Sequence, residues 1–323
     1  MRALILLGLF GVLAACAPAA SNVPATAAPS TNPTAAPGRL AAAGVPLVSG
    51  VFGAPLTFAT RAEFEKYGFA WGPSDGQFGA IAAGGDNYTF YGTAGATAAC
   101  KGYPKTFGSF TFSGTLEHVT GSNGCRRQFG PGDGPAGWVF DRDYAGGGQV
   151  VRFASGGRSG WLMSFHAELQ WSNPATADHK CNNVSCFYGS LGLAVSTDDA
   201  RTFRVVGQTL QPSQPLSIFA GGGRNVTTGY GSLVVADADG KHLDNPPSDP
   251  SRAYFYLFFT DLWPGSPGAC ATAFCLGVAR APYTGVVTAA LSGDPHQVAT
   301  LFHKYDGASP DPWTQPATGD TPD

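Results

Sequence analysis

The sequence predicts an all-β chain arranged as a five-bladed β-propeller, with six blades as the alternative. Three observations predict it. Apolar side chains recur at every second residue through most of the chain, the period of a strand and not of a helix. Glycine (45) and proline (25) are frequent enough to close many turns. One pattern also returns three times: a strand, a Gly- or Asp-Gly-containing turn, and a second strand heavy in aromatics. The copies are FGAIAAGGDNYTFYGTA from Phe78, GQVVRFASGGRSGWLMSFHAE from Gly148, and GSLVVADADGKHLDNPPSDPSRAYFYLFFTD from Gly231. LGLAVSTDDARTF supplies a third strand after the second copy, and CLGVARAPYTGVV does so after the third. Repeated units of three or four antiparallel strands are propeller blades. Residues 46–323, divided by about 50 residues per blade, give five or six. The same hairpins would also build a β-sandwich, the competing arrangement.

Taken in order, the chain opens with MRALILLGLFGVLAAC, one basic residue followed by a short apolar run and small residues before Cys16. This is a secretory signal. Its LAAC ending resembles the lipobox of bacterial lipoproteins, which implies cleavage before Cys16 and a lipid on its thiol. The expected divisions are a signal peptide over 1–15, a lipidated cysteine with an Ala/Pro/Thr-rich flexible linker over 16–45, and the propeller over 46–323. The linker has too little apolar and charged content to build a core. A single helix is expected early, where Thr60 and Glu63 match a capping box.

Seven cysteines leave one over, and Cys16 is the odd one. The other six fall into neighbouring pairs, Cys100 with Cys125, Cys181 with Cys186 and Cys270 with Cys275, which in an exported chain read as disulfides. Zinc held by His179, Cys181 and Cys186 is the rival reading, but the spacing is wrong and only three ligands are present. Charged residues make up 13% of the chain and net charge is −3. No basic block exists to hold nucleic acid. The expected location is the bacterial cell envelope, with the membrane touched only through the lipid anchor, and the expected state is a monomer.

The run WLMSFHAE…FYGSLGLAVSTDDARTF followed by YFYLFFTD…CLGVARAP resembles the five-bladed propeller glycosidases, the arabinanase, xylosidase and invertase group that includes glycoside hydrolase family 43. STDDARTF (196–203) also resembles the Asp-box of sialidases, a structural turn, with Ala200 where Gly is usual. The glycosidase resemblance implies a polysaccharide substrate, with arabinose- or other furanose-containing glycans the nearest extrapolation. It implies a base at the start of the first repeat, a second aspartate that tunes the acid, and a glutamate acid on a later one.

Those roles fall on named residues. Asp75 precedes the first repeat and is the candidate base; Asp143, with Asp141 as its competitor, precedes the second. Glu168 is the candidate acid, because a carboxyl placed among aromatics suits a proton donor. Glycoside hydrolysis needs such a pair of carboxyls astride the scissile bond. Glu168 aligns with Asp261 of LFFTD, both on second strands of their repeats, and Asp261 is the fallback acid. His166 lies two residues before Glu168, on the same strand face. Among Trp71, Tyr91, Trp138, Trp171, Tyr188, Tyr230 and Trp263, the aromatics near acids or strand ends, Trp71 and Tyr230 join His166 as substrate contacts.

Other chemistries fit less well. GPSDG (72–76) matches a nucleophile elbow in letters only, since that motif needs a strand before it and a helix after it. DADG (237–240) opens like a calcium loop, but no glutamate stands at its twelfth position. No cofactor is required; a structural calcium stays open, with no site to name. Arg142, Arg152, Arg158, Arg224 and Arg280 are too dispersed for the arginine triad of a sialidase. The alternative function is a propeller that binds glycan or protein without catalysis, since a fold does not fix a function.

Overall fold

Strand alternation produces three antiparallel meanders stacked face to face. The computed structural model describes residues 61–67, 79–95, 107–115, 118–121, 126–170, 187–212, 226–262, 275–305 and 311–318. All belong to the compact unit Phe58–Asp323.

Helix α1 (Arg61–Lys66) comes first. Its Phe64 ring meets Phe112 edge-on at 5.4 Å, while Glu63 Oε1 lies 3.1 Å from His118 Nδ1. Thr60, the expected cap, lies outside the described residues. The first meander holds β1 (Gly79–Gly84), β2 (Asn87–Gly95) and β3 (Phe107–Gly114), with β4 (Val119–Gly121) and β5 (Arg127–Phe129) both paired to β3. Phe90 of β2 stacks on its cross-strand partner Phe112 at 5.2 Å, the kind of pair that fixes register in a sheet.

The second meander holds β6 (Tyr144–Gly146), β7 (Val150–Ser155), β8 (Arg158–Gln170), β9 (Phe187–Ser196) and β10 (Arg204–Leu210). Both β6 and β7 pair with β8, so they act as one leading strand interrupted at 147–149. The Asp-box turn joins β9 to β10 as expected. Ser196 Oγ donates to Asp198 Oδ1 at 2.8 Å, and Asp198 Oδ1 accepts from Thr202 N at 2.9 Å. Ala200 takes a left-handed φ of 58° where the usual glycine would stand.

The third meander holds β11 (Val226–Ala236), β12 (Tyr254–Leu262), β13 (Cys275–Pro282), β14 (His303–Lys304) and β15 (Gln315–Pro316). Between β13 and β14 the chain forms α2 (Tyr283–Ser292) and α3 (Pro295–Ala299). This corrects the expectation that CLGVARAPYTGVV is one strand. Pro282 ends the ladder by lacking an N–H, and Val286, Val287, Ala289 and Ala290 then bury one face of α2. Gly293, left-handed at φ 78°, closes the helix.

Two cores hold the stack together. Leu162, Leu191 and Leu193 of the second meander pack with Leu233, Val235, Phe255, Leu257 and α2 of the third. Met163, Phe165 and Ala167, the alternate residues of β8, pack with Tyr91 and Phe129 of the first. The second meander is therefore the middle layer, apolar on both sides, which is why its strands read as near-continuous hydrophobic runs. Burying a residue such as Phe165 contributes about 2–3 kcal/mol.

The fold is all-β with short helices, but the expected count of five or six blades is not what the described strands form. They make three meanders in two hydrogen-bonded sheets of five and ten strands. The three repeats seen in the sequence are these three meanders. Their leading strands begin at Gly79, Tyr144 and Val226, spacings longer than the blade of about 50 residues used for the division. The loop before β6, the segment between β11 and β12, and α2 with α3 lengthen the described units. The second and third meanders share one sheet through a short parallel bridge, Val226 beside Tyr188 and Thr227 beside Gly189.

Candidate functional site

The bridge sets one end of β8 against β11. Across that end the paired residues are Tyr144 on β6, Glu168 on β8, Gly189 on β9 and Thr227 on β11. Glu168 and His166 are two residues apart on β8, so both leave the same face. His166 Nε2 and Glu168 Oε1 are 3.0 Å apart, with side chains 8% and 15% exposed. Either Nε2–H donates to the carboxylate or the protonated carboxyl donates to Nε2. In both cases Nδ1 is left over, buried and without a partner among the described residues.

Two tyrosines and two glycines frame the imidazole. Tyr144 presents its ring at 61° to His166, centroids 5.7 Å apart. Tyr230 lies parallel to it, 5.8 Å away at 5°. Gly189 and Gly229 admit the ring: a Cβ on Gly189 would stand 3.0 Å from His166 Cε1, and one on Gly229 would stand 3.2 Å from Nδ1.

Tyr230 reaches this position through a distortion. The β11–β12 register shifts between Gly229 and Ser232, and Tyr230 within that bulge has φ 57°. Bulges re-aim side chains, and a bulky residue held in the left-handed region carries about 1–3 kcal/mol of strain.

The structure sorts the expected acids. Asp143 adjoins the pair through the backbone, its N–H donating to Glu168 O at 3.1 Å. Its carboxyl is almost wholly buried, with Oδ2 3.5 Å from Arg142 Nε. Asp141 lies in the loop before β6, completely buried, and Gly134 backs onto it so closely that a Cβ there would stand 2.7 Å from Oδ1. Desolvation pushes its carboxyl up to about 6. Asp261 on β12 accepts from Thr228 Oγ1 at 2.9 Å. Burial pushes Asp261 up, opposed by the charge of Lys304 and by that hydrogen bond. Lys304 is itself buried and donates to Gln211 O at 2.8 Å.

Asp75 and Trp71 lie outside the described residues, so the site as described contains Glu168, His166, Tyr230 and the backbone of Asp143. Of the six cysteines expected in disulfides, Cys275 alone is described, at the start of β13. Cys100, Cys125, Cys181, Cys186 and Cys270, like Cys16, lie outside. Several other aromatics are packing residues: Tyr91 donates its hydroxyl to Ala200 O at 2.9 Å, and Trp138 meets Phe140 and His296.

Tyr144, Gly189, Thr227 and Gly229 are the site residues that sequence reading missed. Only Tyr144 carried a signal, adjacent to the candidate Asp143. Among the described residues no group of three or more His, Cys, Asp or Glu side chains could hold a metal. Among them, too, no helix is long and apolar enough to cross a membrane.

Chemically, the arrangement can hold and move one proton between Glu168 and His166, beside two aromatic rings at a junction of strands. No protein-family model matches the chain, and no curated protein matches it.

Proposed function

We propose that the protein is a glycoside hydrolase of the bacterial envelope, lipid-anchored at Cys16, acting on a polysaccharide such as an arabinose- or other furanose-containing glycan. The observation that carries this reading is the His166–Glu168 hydrogen bond roofed by a backbone-strained Tyr230. Strain of that kind clusters where a side chain is held for a task. Glu168 protonates the leaving oxygen as the glycosidic bond breaks, and water adds to the anomeric carbon, giving up its proton to a base. His166 holds the Glu168 carboxyl in place by donating from Nε2 to Oε1, so that Oε2 carries the proton delivered to the leaving oxygen. Asp75 is the proposed base, and Asp143 the aspartate that steadies the acid's strand. On this reading the three stacked meanders serve as propeller blades, each larger than the generic unit.

The test is a polysaccharide panel, including arabinan, arabinogalactan and xylan, with product analysis. Release of new reducing ends by the native chain, lost in Glu168→Gln, supports the reading. Native and Glu168→Gln chains that release the same products at the same rate would remove Glu168 from the mechanism, and absence of cleavage across the panel would remove the hydrolase.

A further inference from the structure

The face of the third meander turned away from the second carries a cavity that neither His166 nor Glu168 lines. Strand alternation creates it. Leu233 and Val235, Leu257 and Phe259, and Ala279 point into the core shared with the second meander. The intervening Val234, Tyr256 and Val278 therefore point the other way. There they line a cavity of about 270 Å³, with Tyr305 and Trp313 at its wall.

The rings form a corner, not a flat platform. Trp313 meets Tyr305 at 5.1 Å and 68°, and Tyr256 at 5.7 Å and 80°. Tyr305 is 53% exposed. Arg280 packs against Trp313, its guanidinium carbon 4.3 Å from the ring. Arg280 Nη1 also donates to Ala238 O at 3.2 Å. The Tyr256 hydroxyl donates to Asp237 O at 2.9 Å. The lining itself is apolar side chains and ring faces, and the Arg280 guanidinium packed on Trp313 is the charged group beside it.

A sugar ring has the complementary form. Its C–H face is apolar and packs on aromatic rings, while its hydroxyls project from the edge toward donors and acceptors. The volume falls just below the usual range of ligand cavities, about 300–1,000 Å³, so it suits one ring and not a run of several.

We propose that this corner is a second glycan subsite, taking a single terminal or branch sugar ring, separate from the His166–Glu168 pair. The choice of a glycan rests on the proposed function; the cavity, its rings and its cation do not.

Affinity electrophoresis of the intact protein through gels containing arabinan, arabinogalactan or xylan reads the subsite. Hydrolysis of a nitrophenyl arabinofuranoside, too small to occupy both places, reads the His166 site. At least one glycan should retard the native chain. Tyr305→Ala and Trp313→Ala should each weaken that retardation roughly tenfold, with nitrophenyl hydrolysis and the Glu168→Gln chain's retardation unchanged. Tyr305 is exposed, so its variant keeps the test readable if Trp313→Ala fails to fold. Absence of retardation by all three glycans overturns the subsite, as does retardation that both ring variants keep. A chain retarded through Tyr305 that cleaves nothing would sink the hydrolase and leave the subsite standing. One that cleaves glycan but ignores the ring variants would do the reverse.

Discussion

The ring of Tyr230 lies parallel to the imidazole of His166, 5.8 Å away, and its backbone enters the left-handed region at φ 57° to put it there. A residue with a Cβ pays about 1–2 kcal/mol for that conformation, so the geometry must be held by its surroundings. Tyr230 sits inside the β11–β12 bulge, just after the parallel bridge that ties Val226 and Thr227 to β9.

This inverts an ordinary ranking. At most strand positions alanine is more stable than glycine. At position 230 we expect Tyr230→Gly to be more stable than Tyr230→Ala by about 1 kcal/mol, because glycine releases the strain that alanine keeps. Urea denaturation of the two variants decides it. Equal midpoints, or alanine ahead, would mean that the left-handed backbone is not strained.

Glu168→Gln should lower the rate on a natural glycan by about 10²–10⁴, the usual contribution of a general acid. The loss should be smaller on nitrophenyl glycosides, whose leaving group departs without protonation. Asp75→Asn should impair both substrates alike, since a good leaving group does not replace a base. Identical losses for Glu168→Gln on the two substrate types would assign it another role.

Gly189 is the narrowest point of the junction. A methyl group there would collide with Thr227 Oγ1 and stand 3.0 Å from His166 Cε1. Gly189→Ala should cost about 1–3 kcal/mol, as overpacking does, and should lower activity by displacing His166. A variant with native stability and native kinetics would show that this end of the sheet yields freely.

Asp141 gives a pH signature of its own. Burial disfavours the charge and pushes its carboxyl up to about 6 in the folded chain, against about 3.9 when unfolded. Between those values the folded chain binds more protons, so its stability should fall as pH rises from about 4 through 6 and level off above. The change is on the order of 2–3 kcal/mol. Asp141→Asn should remove this slope. Denaturant melts at pH 4, 5, 6 and 7 measure it, and parallel curves for the two chains would contradict the assignment.

For the cysteines, thiol titration of the denatured, unreduced protein should find none of the six free, with Cys181 joined to Cys186 and Cys270 to Cys275 by mass spectrometry. Cys16→Ala should move the folded domain from membrane to soluble fractions. A variant still found in the membrane pellet would end the lipoprotein proposal.

What was legible in the sequence follows the range of the interactions involved. The three repeats and the shared face of His166 and Glu168 depend on period-two alternation, which neighbours in the chain encode. Tyr230 could be named as an aromatic near a strand end, but its stack on His166 joins residues 64 positions apart through a bulge that no local pattern announces. Gly189 and Thr227 were invisible for the same reason: each matters for what a distant strand places beside it. Asp141 and Asp143 are equivalent as letters in DRD, yet one is enclosed by Gly134 and the other abuts β8. Helix α2 was read as strand because its valines and threonines favour strands, and tertiary burial overrides that preference.

Because β8 sends Leu162 into one core and Met163, Phe165 and Ala167 into another, the strand works as a partition wall with separately addressable sides. Trimming Phe165 loosens the seam with the first meander and leaves the wall's other side intact. His166 and Glu168 leave from that other side, along with Leu162. The seam behind the His166–Glu168 pair can therefore be redesigned, for heat tolerance or for an inserted domain, without rewriting the face that carries the pair.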